Sequence, residues 1–192
     1  MNEVIALAPT AAAAFSGAVM AFILKCILDY YNRPIIQIAL RQNGGYRKAR
    51  TVGGYDARYV RLLIHNAGNR VIHNCRGYIT SVRKESGATP LFDQETTPLT
   101  WANSSRETMD IPAKVGLYLD VCSLHRPNQI SELWPSVPPT HNRFEEFFQD
   151  NTTYHFKIII AADNTVPKTR DVVVMFRTDD EELTIQNWDH PE

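Results

Sequence analysis

The residues able to do covalent or metal chemistry are few in this chain, and they are scattered. There are three cysteines and six histidines among 192 residues. His73 and Cys75 stand two apart, on one face of any strand, and His65 or His125 are the nearest candidates to join them. A zinc site needs three or four such ligands at about 2.0–2.3 Å. The sequence has no C-x-x-C, H-x-x-x-H or H-E-x-x-H spacing to supply them. Ser104, Ser105 and Ser123 lie outside any G-x-S-x-G context, and Gly44-Gly45 and Gly53-Gly54 form neither a P-loop nor a G-x-G-x-x-G turn. The expectation is no catalytic residue, no cofactor and no metal site. The competing reading, a hydrolase or metal-dependent enzyme, requires His65, His73 and His125 to converge with nearby carboxylates.

Regular alternation turns Cys75 inward with Val71 and Ile79, and Cys122 outward, opposite to Leu119 and Val121. Thiols on different faces cannot bridge without a bulge, and a cytoplasmic domain keeps them reduced, so free cysteines are expected; an oxidising compartment would reopen the disulfide.

Two stretches suit binding better than catalysis. The 28-residue excursion His125–Thr152 carries Trp134, a proline-rich run from Pro135 to Pro139, and Phe144, Phe147 and Phe148 at i, i+3, i+4 spacing. Long connections are often functional, and this one is expected to be either a partner-binding element or a short helix capping the fold. Arg41, Arg47, Lys48 and Arg50, with Lys25 and Arg33, form a basic stretch suited to an anionic membrane surface.

That basic stretch follows an uncharged one. Val4–Leu24, including Phe15, Gly17 and Phe22, is 21 residues without a formal charge. About 20 apolar residues cross a hydrocarbon core of about 30 Å, so a single transmembrane helix over residues 1–28 is predicted. No basic residue precedes it, which argues against a cleaved signal peptide. Basic flanks favour the cytoplasmic side, which predicts a single-pass protein of the cell membrane with its folded domain in the cytoplasm. Charge is sorted further along. Residues 29–83 hold ten Lys/Arg against two Asp/Glu, and residues 84–192 hold nine against eighteen. The net charge of −1 argues against a nucleic-acid partner.

Beyond the predicted span, apolar residues alternate with period two. Candidate strands are Pro34–Leu40, Tyr59–His65, Val71–Arg83, Leu99–Trp101, Met109–Ile111, Gly116–Leu124, Thr153–Ala162 and Asp171–Arg177. His65–Arg70 reads as a turn with hairpin chemistry. About seven or eight strands without helical pattern predict an antiparallel Ig-like β-sandwich. The expected order is a basic juxtamembrane connector with the first strand over 29–55, the sandwich over 56–178, and a solvated acidic tail over 179–192.

The runs Arg61–Gly68 and Val71–Cys75, with Pro98–Ala102, Asp110–Pro112, Leu117–Val121, Tyr154–Ile158 and Ala162–Asn164, carry a resemblance. Over residues 5–177 the chain resembles uncharacterised prokaryotic single-pass membrane proteins with an Ig-like, adhesion-type sandwich. The resemblance implies that fold and a membrane tether, and it brings no catalytic residues with it. The functional expectation is a mainly β, membrane-tethered, non-catalytic binding or scaffolding module whose partners are the lipid bilayer and another protein. The alternative is an accessory subunit of a larger membrane complex, with Gly17 and the neighbouring alanines allowing close helix approach.

Overall fold

Period-two alternation of Val, Ile, Leu and aromatic residues makes strands of most of the chain after residue 35, because such side chains fill one face of a pleated surface. The computed structural model describes residues 4–40, 46–50, 56–85, 87, 96–104, 106–125, 132–135, 152–177 and 182–187. A helix α1 (Val4–Asn32) is followed by eleven strands among the described residues.

Two antiparallel sheets face each other. In the first, β3 (Asp56–Asn66) pairs along one edge with both β1 (Ile36–Ala39) and β2 (Tyr46–Arg50). On its other edge lies β7 (Gly116–His125), followed by β8 (Glu132–Pro135). In the second, β4 (Ile72–Lys84) pairs along one edge with β5 (Thr97–Pro98) and β6 (Met109–Ile111). The sheet then continues through β9 (Thr153–Ala161) and β10 (Lys168–Arg177) to β11 (Glu182–Asn187). Between the sheets lies one core. Val60, Leu62, Ile64, Leu119 and Trp101 meet Ile79, Val82, Tyr154, Phe156, Ile158, Val172 and Val174, all buried.

Several expectations change here. The predicted transmembrane helix over Val4, Phe15, Gly17, Phe22 and Leu24 is overturned: among the described residues no helix is long and apolar enough to cross a membrane. α1 is rich in alanine, with Ala11–Ala14, Ala18 and Ala21 among its residues. It also carries Lys25 and Asp29 and ends in Tyr30, Tyr31 and Asn32. The strand number exceeds the expected seven or eight because β2 and β8 carry no clean alternation, and because β11, where Leu183 and Ile185 do alternate, lies in the stretch expected to be a solvated tail. β2 reads Tyr-Arg-Lys-Ala-Arg, a polar sequence of the kind that suits a sheet edge. The basic residues Arg47, Lys48 and Arg50 thus sit in a strand, in register with β3, and do not form a connector. Asp179–Glu192 contains β11, which extends the second sheet from β10.

His65–Arg70 is not a hairpin either, since β3 and β4 belong to different sheets. What shapes this crossing is Asn66, fully buried at the end of β3. Its Oδ1 accepts from the backbone N–H of Gly68 at 3.0 Å and of Ile35 at 3.4 Å. Its Nδ2 donates to the carbonyls of Arg70 at 2.7 Å and Ile111 at 3.0 Å. Its own backbone bonds Val115 and Lys114 at 2.9 Å each. Lys114 takes a positive φ of 63° there, and its Nζ donates to the Ala67 carbonyl at 2.6 Å. A Cβ on Gly68 would collide with the backbone of residues 33–35, so only glycine lets that strand entry lie so close.

Removing a buried partner leaves a carbonyl or N–H unsatisfied at about 1–3 kcal/mol each. Asn66→Ala is expected to lower the free energy of unfolding by roughly 3 kcal/mol in urea titration with the m-value unchanged.

Candidate functional site

The outer surfaces of the two sheets differ. On the first, Arg61 and Asp120 stand opposite each other, on the face away from their core neighbours Leu62 and Leu119. Arg61 Nε donates to Asp120 Oδ1 at 2.6 Å, with side chains only 7% and 9% exposed. The guanidinium also lies 5.0 Å from the Tyr59 ring centre. Burial pushes the Asp120 carboxyl above its ordinary range, and the adjacent guanidinium pulls it part of the way back. The pair comes from a bulge: the register shifts between Val60 and Arg61, so Val60 faces Cys122 while Arg61 faces Asp120. The extra residue, Val121, turns Cys122 into the core instead of outward.

A second bulge shapes the outer face of the other sheet. Ile79 faces Ile158, but the next pair is Ser81 with Lys157, leaving Thr80 unpaired. Regular alternation would have put Ser81 and Arg83 in the core beside Ile79. The bulge instead sends Val82 inward against Phe156 and turns Ser81 and Arg83 outward. Two cross-strand rows result, Ser81–Lys157–Asp171 and Arg83–His155–Val173. A cavity of about 370 Å³ lies here, with Ser81, Arg83, Lys84, His155, Lys157 and Asp171 in its lining. That volume falls within the usual size of small-ligand pockets. Ser81 is only 4% exposed, and its hydroxyl has no hydrogen-bond partner among the described residues.

At the start of β4, a polar cluster caps the fold. Asn74, at φ 51°, donates its N–H to Asp110 Oδ1 at 2.8 Å and its Nδ2 to Asp163 Oδ2 at 2.6 Å. His73 Nδ1 lies 3.4 Å from Asp110 Oδ2, and Asn164 Oδ1 accepts from the His73 N–H at 3.0 Å. The Asn74 N–H, then His73, hold the Asp110 carboxyl below the usual range. These bonds satisfy one another and close the strand start.

The three histidines of the enzymatic alternative do not converge. His65 pairs with Gly116 at one end of the β3–β7 ladder, and His125 pairs with Ala57 at the other, roughly 27 Å away at about 3.4 Å per residue. His73 lies in the other sheet. Among the described residues no group of three His, Cys, Asp or Glu is placed to hold a metal ion. Of the expected partner-binding residues, Trp134 pairs with Ser123 in β8, so part of the excursion is strand. Phe144, Phe147 and Phe148 lie outside the described residues, as does Arg41. Arg33 stacks on Tyr30 at 4.3 Å from the ring centre, and Lys25 is exposed on α1. Sequence reasoning missed the Ser81 cavity and the Arg61–Asp120 pair because each depends on a bulge. The one signal in the sequence was Thr80-Ser81, a polar pair inside an apolar strand. Compared with known proteins, the chain matches no family model and no curated sequence.

All three cysteines are free thiols, Cys26 exposed and Cys75 and Cys122 buried. Burial pushes the Cys75 thiol up from 9.0 to about 12, and raises Cys122 as well. Ellman's reagent is expected to react with Cys26 alone in the folded chain and with all three thiols in guanidinium. A raised thiol stabilises the fold below its unfolded value and loses that contribution as pH climbs from about 9 towards about 12. Cys75→Ala with Cys122→Ala should therefore flatten the alkaline limb of a stability–pH curve.

Proposed function

We propose that this chain is a non-catalytic binding module, and that it engages its ligand on the outer face of the second sheet, at the cavity between β4, β9 and β10. The observation that carries the reading is the buried hydroxyl of Ser81 without a partner in the lining of that cavity. A buried polar group left unsatisfied costs stability, and a bound ligand is what would satisfy it. Beside it, Arg83 and Lys157 take part in no ion pair among the described residues. Cations held outward and unpaired beside a recessed hydroxyl are suited to recognition, since they gain more from a ligand than from water.

A second reading, that the chain is one subunit of a larger protein assembly, is favoured by α1. Met20, Phe22, Leu24, Leu28, Tyr30 and Tyr31 are all highly exposed, Phe22 at 67% and Tyr31 at 70%. Met20, Leu24, Leu28 and Tyr31 fall along one side of the helix, and exposed apolar side chains of this kind suit a protein partner. The helix is joined to the sandwich through Asn69 Nδ2, which donates to the Tyr31 carbonyl at 2.9 Å, and through Arg70 and Asp29 at 3.5 Å.

Backbone amide shifts of the full chain, recorded against a library of small charged and neutral fragments, test the first reading. Shifts clustering on residues 81–85, 155–157 and 171 support it, whereas shifts scattered over the surface contradict it. For the second, gel filtration of cell extract should show the wild-type chain eluting well above its single-chain size. Replacing Phe22, Leu24 and Leu28 by Ser should return it to that size; wild type already eluting there contradicts the assembly.

A further inference from the structure

We infer that the cavity on the second sheet is a binding site for a single small oxyanion group, a carboxylate or a phosphate. The inference rests on the reading of that cavity as the ligand site and names the chemistry of its ligand. Outward residues facing each other across a ladder stand about 5 Å apart, and successive ones along a strand about 7 Å apart. Ser81, Lys157, Arg83 and His155 occupy the four corners of one such rectangle. Its size matches one tetrahedral or planar oxyanion, with a hydroxyl donor at one corner and cations at two others.

Ser81 is the decisive corner. It is 4% exposed and lines the cavity, and its Oγ has no partner among the described residues. A hydroxyl in that position lacks an acceptor, and an oxyanion is an acceptor. Arg83 supplies a planar set of donors matching carboxylate or phosphate oxygens, and Lys157 a point charge. The carboxylates in the lining set the limits of the site. Asp171 faces Lys157 from the β10 side, and Glu85 follows Arg83 at the end of β4. Negative groups on two margins leave room for one anionic group between them and repel an extended polyanion. The ligand is thus a small carboxylate or phosphomonoester, or inorganic phosphate itself.

Calorimetric titration of the full chain with inorganic phosphate, acetate and glycerol phosphate separates these sources. Saturable one-site binding of at least one is expected, and the tightest identifies the group and whether an organic body adds to it. A hydrogen bond to a charged group carries about a factor of ten or more in affinity, so Ser81→Ala should weaken binding about tenfold. Ser81→Ala should also leave the unliganded melting temperature unchanged or raised, because it deletes a buried hydroxyl that bonds nothing. Loss of affinity with gain of stability is a signature that structural damage does not produce. Arg83→Gln with Lys157→Gln, both on exposed side chains, should remove saturation while the chain stays folded. Absence of saturable binding by all three anions, or binding unmoved by these variants, overturns the inference. If neutral or cationic fragments still map to the cavity in that case, the ligand site stands and only its anionic character fails. If nothing maps there, both fail.

Discussion

The two sheets are held in relation to each other at one end by a single amide side chain. Asn66 is fully buried where the chain leaves the first sheet for the second, and every hydrogen-bonding group of its side chain is used. Its partners come from the entry to β1, the turn after β3 and the end of β6, so both sheets converge on it. A buried crossing exposes backbone groups that neither sheet can pair, and a four-bonded amide is an economical way to satisfy them. The close approach of residues 33–35 to Gly68 follows from the same knot, as does the positive φ of Lys114. With the crossing set, the facing rows of Val60, Leu62 and Ile64 and of Ile79, Val82 and Phe156 fall into one core.

Within that frame, two single-residue insertions decide what each sheet shows to the outside. The bulge at Val121 brings two neighbouring residues of β7 into the core and leaves a tightly bonded Arg61–Asp120 pair on the opposite face. Buried ion pairs contribute little net stability, because desolvation offsets much of their attraction, and the same burial raises the Asp120 carboxyl. The bulge at Thr80 does the reverse, moving a serine and an arginine out of the apolar row and Val82 into it. One sheet therefore presents a pair that is already satisfied, and the other presents groups that are not. This difference, more than overall charge, is the ground on which the second sheet is proposed as a binding face.

Much of the framework was legible in the sequence. The rows Val60/Leu62/Ile64, Leu117/Leu119 and Tyr154/Phe156/Ile158/Ile160 alternate cleanly, and they became β3, β7 and β9. Three strands escaped that test: β2 is a polar edge, β8 lies among prolines, and β11 alternates but begins on the last of four acids that read as a solvated tail. Cys122 was assigned to the wrong face because alternation counts residues and a bulge adds one. The Ser81 cavity was hidden for the same reason, since regular counting sends Ser81 into the core. Absence of charge over Val4–Leu24 suggested a span, yet lack of charge does not measure apolarity, and no helix among the described residues is long and apolar enough to cross a membrane. The sequence does not show how far apart His65 and His125 stand, and β3 and β7 place them at opposite ends of one ladder.

The account comes down to whether a buried hydroxyl and two cations that find no partner among the described residues mark a ligand site. A crystal structure of the full chain grown with the tightest-binding anion measures this most directly. The account predicts the anion seated between β4 and β9, accepting a hydrogen bond from Ser81 Oγ and contacting Arg83 and Lys157. An anion bound only elsewhere, with the Ser81 hydroxyl still unbonded, would contradict it.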